Sequence, residues 1–349
     1  MKTSDFYFDL PQERIAQYPA ARGESRLLVL DRSSGRRAHH VVKELPVILE
    51  SDSLVVFNDS RVRKARLLGT DGRGGTAEFL LLNMAADLAG DGSVWEAITK
   101  KADRRTGGRF RFAGGETEAA LLRDGGRYLL RFDRPVDDAW LDAHGRVPLP
   151  PYIRRACDEG DSERYQTVYA RDYGSAAAPT AGLHFTSGIL AALSARGIAA
   201  EFVTLHVGPG TFLPVRSENP EDHRMHREFF RIDGGTAARI EAAKREGRKV
   251  TAAGTTTLRA LEAAWRDGRF LTGERSTDIF IYGDYRFATA DALFTNFHTP
   301  ASTLLMLVCA FAGAGQGEAA GRKLILETYR EAIQKEYNFF SYGDAMLIL

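Results

Sequence analysis

The sequence has 349 residues, which at about 150 residues per domain is enough for two compact domains and excludes a peptide hormone or a disulfide-stabilised miniprotein. Lys and Arg number 47 and Asp and Glu 46, so the net charge is +1 and any nucleic-acid site must be a local patch. With 44% hydrophobic and 27% charged residues, the composition predicts a folded, soluble protein without long disorder.

The first sixty residues contain two apolar runs that are typical of buried strands, at 27–31 and 54–59. A short amphipathic stretch at 45–49, which begins beside a proline, lies between them. This pattern predicts a strand, a short helix and a second strand.

Residues 66–148 have a different sequence pattern, in which short runs typical of β-strands alternate with glycine-rich turns. The runs are 77–82, 94–98, 109–112, 117–122 and 128–132. Five strands at about ten-residue spacing, with almost no helical period, predict a small antiparallel barrel or sandwich.

After the proline-rich hinge at 147–152, helical and strand patterns alternate. We expect helices after the cap residue Thr186 and at 236–246, 255–265, 303–312 and 322–337, and strands at 198–207, 248–253 and 278–282. Such alternation is typical of α/β layers. We therefore predict a layered α/β domain made of residues 1–65 and 149–349, with 66–148 as an inserted small antiparallel β-barrel domain.

The two cysteines, Cys157 and Cys309, are too far apart in sequence for a zinc-binding pair and do not form a disulfide framework. The N-terminus lacks the basic and apolar pattern of a signal peptide, and the longest apolar run, 304–312, is too short to span a bilayer. We expect a cytoplasmic protein that does not bind a membrane.

Five of the eight histidines lie in short clusters beside strand ends or turns. They are His184, His206, His223, His226 and His298. Because open α/β sheets present ligands at such loops, we expect some of them to line one pocket, although any single one could instead be a packing or capping residue. The spacing of His223 and His226 does not match a helical zinc motif, so we expect no metal.

Two loops have backbone amides suited to an anion. Gly208-Pro209-Gly210-Thr211 follows a predicted strand and could bind a polar ligand or be a plain tight turn. Gly254 and Thr255–Thr257 begin a predicted helix that carries Arg259 and could seat a carboxylate or phosphate, whereas ordinary N-capping explains one threonine. The glycine-rich segment 313–317 lacks dinucleotide spacing and is interpreted as a linker that ends a helix.

A basic cluster with neighbouring aromatic residues lies at 96–111, where six bases face two acids. Its bases include Lys100, Lys101, Arg104 and Arg105. A second basic run, at 61–66, carries Arg61 and Arg63. Such clusters fit RNA contact, although a solvated face is the usual alternative.

Taken in chain order, the motifs resemble those of the S-adenosylmethionine:tRNA ribosyltransferase-isomerases of queuosine biosynthesis. They include SDFYFDLP, VFNDSRVRKARLLG, VPLPPYI, AAPTAGLHFT, FVTLHVGPGTFLPVR, EDHRMHREFF, AAGTTTLRALE, TNFHTP and FFSYGDAM. The resemblance runs from about residue 3 to the C-terminus, and the combination is highly specific.

The resemblance implies that the ribosyl part of S-adenosylmethionine is transferred to 7-aminomethyl-7-deazaguanine (preQ1) at the wobble position of a tRNA. There it rearranges into an epoxycyclopentane, and adenine and methionine leave. The implied partners are this tRNA and S-adenosylmethionine as co-substrate, with no metal and no other cofactor. The implied architecture, an α/β domain with an inserted barrel, agrees with the division made from sequence texture.

Carried onto this sequence, the motifs give the following predicted site residues. His184 and His206 are candidates for proton transfer, because imidazole titrates near neutral pH, with base and acid left open. Predicted substrate-binding residues are Asn58, Asp59, Arg61, Thr180, Gly182, Gly208, Gly210, Thr211, His226, Thr255, Thr256, Thr257, Arg259, His298, Tyr342 and Asp344. Lys100, Lys101, Arg104 and Arg105 are predicted to bind the tRNA backbone.

The sequence departs from the family pattern at three places. Arg63 and Lys64 replace an Ile-Pro pair, which could alter the domain junction or add tRNA contacts. Gly283-Asp284 replaces Pro-Gly, which leaves the conformation of that turn open, and Thr299 replaces Leu, which we expect to be tolerated.

Two other classes of function remain as alternatives. A non-catalytic RNA-binding protein would explain the basic cluster but not the His, Gly and Thr loops. An S-adenosylmethionine-dependent tRNA methyltransferase would need a glycine-rich loop directly after its first strand, where this chain has only Arg32-Ser33-Ser34-Gly35.

Overall fold

The computed structural model describes residues 1–85, 87–208, 215 and 217–349. The strands are β1 (Arg26–Leu30), β2 (Arg37–Val41), β3 (Leu54–Asn58), β4 (Arg61–Val62), β5 (Arg66–Asp71), β6 (Thr76–Met84), β7 (Val94–Thr99), β8 (Arg109–Phe112), β9 (Thr117–Asp124), β10 (Arg127–Phe132), β11 (Tyr173–Ser175), β12 (Ala199–Leu205), β13 (Glu228–Ile232), β14 (Val250–Ala253), β15 (Trp265–Arg266), β16 (Arg269–Phe270), β17 (Gly273–Thr277), β18 (Ala292–Asn296) and β19 (Ala345–Ile348).

The α-helices are α1 (Leu45–Ile48), α2 (Ala102–Arg105), α3 (Asp138–His144), α4 (Asp161–Arg164), α5 (Ser187–Ala195), α6 (Gly234–Arg245), α7 (Thr255–Ala264), α8 (Thr303–Ala312) and α9 (Glu318–Gln334). Short 3-10 helices occupy Thr3–Phe6, Gln12–Arg14, Val42–Glu44, Ala113–Gly115, Thr180–His184 and Pro220–Asp222. Among the described residues, none of these helices has the length and apolar character needed to cross a membrane.

The larger sheet has nine strands in the order β17-β13-β12-β3-β14-β18-β19-β1-β2. Its centre, β12-β3-β14-β18, is parallel, and every residue of β3 and β14 is buried. Side chains of β3 alternate between two cores, one shared with α6 to α9 and the other with α1 and α5. Both faces of the parallel centre are therefore covered, as the apolar runs of these strands require.

The second sheet has six antiparallel strands, hydrogen-bonded in the order β10-β7-β6-β5-β8-β9, and β9 also pairs with β10. Its core is aromatic and contains Phe79, Trp95 and Phe112. At Gly69 a Cβ atom would lie 2.8 Å from the Phe112 ring, so a glycine is needed where β5 crosses this core. The six strands all lie between residues 66 and 132.

Most predicted elements are confirmed, often within two residues. Thr186 caps α5 by accepting a hydrogen bond from the Ile189 amide. Only five of the six strands between 66 and 132 were predicted, because β5 carries a basic start and Gly69 and does not read as an apolar run. Two strands of the larger sheet, β2 and the buried β19, were not predicted, although the apolar run at 345–349 is a signal for β19.

The predicted strand at 278–282 is wrong. The strand in this region is β17, an exposed sheet edge with four consecutive exposed residues and therefore no apolar signal. After it, the Thr277 hydroxyl accepts a hydrogen bond from the Ile279 amide and the chain leaves the sheet. The apolar residues that follow pack as a cluster, with the Phe280 and Tyr282 rings 4.5 Å apart.

The structure explains two departures from the family pattern as internal contacts. Arg63 forms an ion pair with Asp138, and the Lys64 ammonium donates to the Asp142 carbonyl, so both residues tie the chain before β5 to α3. Gly283 adopts a left-handed conformation with φ +64°, which suits glycine. Asp284 then accepts a hydrogen bond from the first amide of α9.

Candidate functional site

One edge of the nine-stranded sheet collects the ends of its parallel strands. There β3 ends at Asn58, β12 at Leu205, β14 at Ala253 and β18 at Asn296. Ala345, the first residue of β19, pairs with Asn296 and with β1, so β19 and β1 begin at the same edge. Open α/β sheets bind ligands at the carboxyl ends of their strands, which makes this edge the candidate site.

Three neighbouring clefts lie along this edge. The Asn296 cleft, about 370 Å³ including space open to solvent, is lined by Tyr152, Thr180, Asn296, Phe297, His298, Thr299, Leu304, Phe340 and Ser341. The Thr255 cleft, about 320 Å³, is lined by Ala178, Thr180, Ala181, Val207, Gly254, Thr255, Thr256, Thr295, His298 and Leu304. The Arg22 cleft, about 250 Å³, is lined by Pro19, Ala20, Arg22, Ser25, Arg164, Leu183, His184, Ser341, Tyr342 and Gly343. The Asn296 cleft shares Thr180, His298 and Leu304 with the Thr255 cleft and Ser341 with the Arg22 cleft, so it adjoins both.

His184 ends a 3-10 helix and is 4% exposed. The Asn296 amide Nδ2 lies 3.1 Å from its Nε2, and the Phe294 ring packs edge-on against the imidazole. Burial, together with the nearby Arg22 cation, lowers the pKa of His184 to about 4. At neutral pH the ring is therefore uncharged, and because Nε2 accepts from an amide, its proton is on Nδ1.

His206 follows β12 and is half-buried. Its Nδ1 lies 2.7 Å from the Ser60 hydroxyl, which is 2.6 Å from the Ser175 hydroxyl. Burial and the Arg63 cation lower the pKa of His206. A Cβ atom on Gly174 would lie 2.5 Å from its Nδ1, so the imidazole packs directly on this glycine.

Asn58 and Asp59 shape the loop after β3 and are both buried. The Asn58 side chain accepts from the Ser60 and Leu205 amides and donates to the Leu205 carbonyl and the Thr256 hydroxyl, so its hydrogen bonds are made within the protein. Asp59 accepts from the Thr204 hydroxyl at 2.7 Å, and burial raises its pKa. Asn58 therefore joins the ends of β3 and β12 to the first turn of α7 rather than facing a cleft.

Thr255, Thr256 and Thr257 form the first turn of α7 and are all buried. Thr255 and Thr256 line the Thr255 cleft, whereas the Thr257 hydroxyl donates to the Ala253 carbonyl inside the protein. Gly254, with φ +102°, turns the chain from β14 into the helix. Two of the three predicted threonines thus face a cleft at a helix N-terminus.

Arg259 lies one turn further along α7 and is 1% exposed. Its guanidinium forms an ion pair with the buried Glu228 and donates to the Ile279 carbonyl at 3.3 Å. Glu228 also accepts a hydrogen bond from the Gly208 amide at 3.0 Å. The structure thus engages Arg259 and Gly208 with Glu228, and neither lines the three clefts.

Tyr342 and Asp344 precede β19 and are buried. The Tyr342 hydroxyl donates to Asp161 at 2.8 Å, and its side chain lines the Arg22 cleft. Asp344 accepts from the amides of Arg26 and Asn338, and burial raises its pKa. Asp344 therefore joins the start of β1 to the chain that leads into β19.

The remaining predicted residues occupy different places. Thr180 and His298 line both the Asn296 and the Thr255 clefts, and burial lowers the pKa of His298 to about 3. Gly182 packs against Tyr169, whose hydroxyl would lie 2.3 Å from an added Cβ atom. The Arg61 guanidinium lies over the Tyr173 ring, 4.4 Å from its centre. Gly210 and Thr211 lie outside the described residues.

His226 is exposed, and its neighbour His223 packs edge-on against the Phe280 ring. Neither lines one of the three clefts. Within the described parts of the chain, no three His, Cys, Asp or Glu side chains are grouped so that they could hold a metal ion.

The predicted basic cluster surrounds α2, between β7 and β8. Lys100, Lys101 and Arg104 are exposed. Arg105 is half-buried and donates to the Thr99 hydroxyl at 3.1 Å and the Lys100 carbonyl at 2.7 Å, so it supports the turn. Of the two acids in the cluster, Asp103 pairs with Arg123, so its charge is offset by a base from outside the cluster.

The prediction missed Asn296, Arg22, Ser60 and Ser175. Arg22 donates to the carbonyls of Leu183 and Gln166 and lines a cleft with His184. One available signal was that Asn296, like Asn58, is an asparagine placed after a run of buried strand residues.

Comparisons with known proteins give a consistent result. A family model described as "Queuosine biosynthesis protein" matches residues 3–348. Proteins named S-adenosylmethionine:tRNA ribosyltransferase-isomerase from Treponema denticola and Citrifermentans bemidjiense are 50% and 49% identical, and each match covers 100% of both chains. The crystal structure of an S-adenosylmethionine tRNA ribosyltransferase from Thermotoga maritima is 32% identical with a TM-score of 0.55, covering 99% of this chain and 100% of that one. The chain therefore belongs to the queuosine biosynthesis protein family.

Proposed function

We propose that this protein transfers the ribosyl group of S-adenosylmethionine to tRNA and isomerises it there. The acceptor is preQ1 at the wobble position, the product is epoxyqueuosine-tRNA, and adenine and methionine leave. The observation that carries the proposal is family membership over residues 3–348. S-adenosylmethionine is then a co-substrate, no metal or further cofactor is needed, and the enzyme acts in the cytoplasm on its tRNA.

The reaction needs a base, because the sulfonium acidifies the adjacent ribose carbon and deprotonation there starts the transfer. We assign this role to His206. Its lowered pKa keeps it neutral at pH 7, and the bond from Nδ1 to Ser60 orients the ring so that Nε2 can take the proton. Ser60 and Ser175 are then positioning residues for His206.

His184 has a different role in this proposal. Its Nε2 is engaged by Asn296, and a pKa of about 4 makes it a poor proton acceptor at neutral pH. A neutral imidazole with its proton on Nδ1 serves better as a fixed hydrogen-bond donor. We therefore assign His184 to substrate orientation rather than to the first proton transfer.

The Thr255 cleft suits the carboxylate of the methionine part. The free amides at the start of α7, a helix of ten residues, carry partial positive charge, and the Thr255 and Thr256 side chains line the same cleft. Arg259 does not line this cleft but fixes α7 against β13 through its ion pair with Glu228.

For the tRNA, we propose that residues 66–148 form an inserted β-barrel domain on the α/β domain of residues 1–65 and 149–349. Lys100, Lys101 and Arg104 are exposed on it and suit phosphate contacts. Base recognition belongs to the clefts of the α/β domain, because phosphate contacts carry no sequence information.

The deciding experiment measures adenine release from S-adenosylmethionine with tRNA that carries preQ1, and with the same tRNA carrying guanine as control. Label in the ribosyl carbons should enter only the preQ1-containing tRNA, whereas label in the methyl group should not. Methyl label in tRNA, or formation of S-adenosylhomocysteine, would show a methyltransferase instead. tRNA binding without any adenine release would support a non-catalytic RNA-binding protein.

A further inference from the structure

Asn296 carries a buried amide oxygen for which the described residues supply no hydrogen-bond donor. The residue is 2% exposed, and it lines the Asn296 cleft as the last residue of β18. Among the residues that the structure describes, its Oδ1 has no partner, whereas most buried polar side-chain atoms in proteins have one.

The orientation of this amide follows from its neighbours. Nδ2 lies 3.0 Å from the Phe340 carbonyl, which can only accept a hydrogen bond, and 3.1 Å from Nε2 of His184. Both hydrogens of Nδ2 are therefore used, and rotation of the amide would bring its oxygen against the Phe340 oxygen. The atom left for a ligand is thus an acceptor, and it calls for a ligand that donates.

The rest of the cleft suits a flat heteroaromatic ring. Tyr152 and Phe340 form an aromatic pair with ring centres 4.7 Å apart, and Leu304 adds an apolar side chain. An aromatic and apolar lining with one oriented polar atom is typical of a small-molecule site. A heteroaromatic base with an exocyclic amino group matches both features.

The position of the cleft selects between two such bases. Thr180, His298 and Leu304 line both the Asn296 and the Thr255 clefts, so one molecule can occupy both. S-adenosylmethionine has adenine at one end and a carboxylate at the other, and the Thr255 cleft suits the carboxylate. The base of preQ1 also has an amino group but is attached to tRNA and lacks this second end.

We propose that Asn296 binds the adenine of S-adenosylmethionine, with Oδ1 accepting a hydrogen bond from the 6-amino group. This inference rests on the proposed function. It assigns Asn296 two tasks, since the same side chain holds His184 through Nδ2. Adenine binding and the orientation of His184 are then linked through one amide.

The test pairs Asn296→Leu with an S-adenosylmethionine analogue that has hydrogen in place of the 6-amino group. kcat/KM is measured for both co-substrates with preQ1-containing tRNA, in the wild type and in the variant. In the wild type, removal of the amino group should lower kcat/KM by about 5- to 150-fold more than in the variant, because the buried acceptor then loses its donor. The comparison cancels any difference in leaving ability between the two bases.

Asn296→Ser, with a shorter side chain, replaces Asn296→Leu if the latter does not fold. Asn219→Ala, at an exposed asparagine outside the clefts, is the control and should keep the wild-type ratio. Equal ratios in the wild type and in the Asn296 variants would overturn the inference while the proposed function stands. The same coupling seen instead with tRNA whose base lacks its exocyclic amino group would assign Oδ1 to preQ1 and overturn the adenine assignment. Absence of turnover in the wild type would overturn the proposed function itself.

Discussion

Replacement of Gly174 by alanine should displace His206 and slow the reaction, and it should also lower the free energy of unfolding, because Gly174 has φ +157°, a conformation that residues with a side chain rarely adopt. The added Cβ atom would lie 2.5, 2.6 and 2.7 Å from Nδ1, Cε1 and Cγ of the imidazole. Favourable contacts between such atoms are about 3.5–4.0 Å, so the ring must move by about 1 Å. A shift of this size at a reacting group costs about 10²-fold in rate.

The assay is adenine release at saturating S-adenosylmethionine and preQ1-containing tRNA, together with thermal unfolding of the same samples. We expect kcat of Gly174→Ala to fall by about 10²-fold. KM for S-adenosylmethionine should change far less, because neither Gly174 nor His206 lines the Thr255 cleft or the Asn296 cleft. Gly268→Ala is the matched control, since Gly268 also has a positive φ (+84°) and an added Cβ atom there meets nothing within 4 Å among the described residues. A Gly174→Ala enzyme with wild-type kcat would refute the reasoning that the position of His206 limits the rate.

Three further predictions follow from burial and charge. Activity should be lost as pH falls through the lowered pKa of His206, because protonation removes the base, and should be level from there to neutrality; a pH profile of kcat that still falls in His206→Gln would contradict this. Arg104→Ala should flatten the slope of log affinity for tRNA against log salt by about one unit at most. Arg105→Ala should change this slope less, because the Arg105 side chain is hydrogen-bonded within its own turn. Equal effects of the two variants in a salt series would show that both side chains contact phosphate. Glu228→Gln should lower the free energy of unfolding by about 3–5 kcal/mol, because it leaves the Arg259 cation buried without its carboxylate; an unchanged urea midpoint and slope would show that the pair contributes little.

The sequence predicted a feature of the candidate site best where the residues that line a cleft also mark the start of a helix. The turn from β14 into α7 is marked by Gly254 and the threonines that follow, so both the helix and the cleft beside it could be anticipated. His184 was singled out by its motif, but its partner Asn296 comes from a strand more than one hundred residues away. A contact of that kind depends on strand order, which local patterns do not contain.

The same limit explains the basic cluster. Arg104 and Arg105 are adjacent and chemically identical, so the sequence treats them alike. In the folded turn one points to solvent and the other binds the main chain of Lys100. Arg259 is a second case, because its carboxylate partner lies on β13, and a helix pattern alone suggested a ligand instead.

The position of β19 has a consequence for the order of folding. This strand lies between β18 and β1, yet it follows every other strand of the sheet in the chain. During synthesis, the β1-β2 hairpin is therefore not joined to the rest of the sheet until β19, about three hundred residues later in the chain, has been made. Until then Arg22 and Tyr342, which line one cleft together, belong to segments that have not met. A chain that ends before Phe340 contains all six strands of the smaller sheet but lacks residues 340–343, so the Asn296 and Arg22 clefts can be completed only after the C-terminal segment has been made.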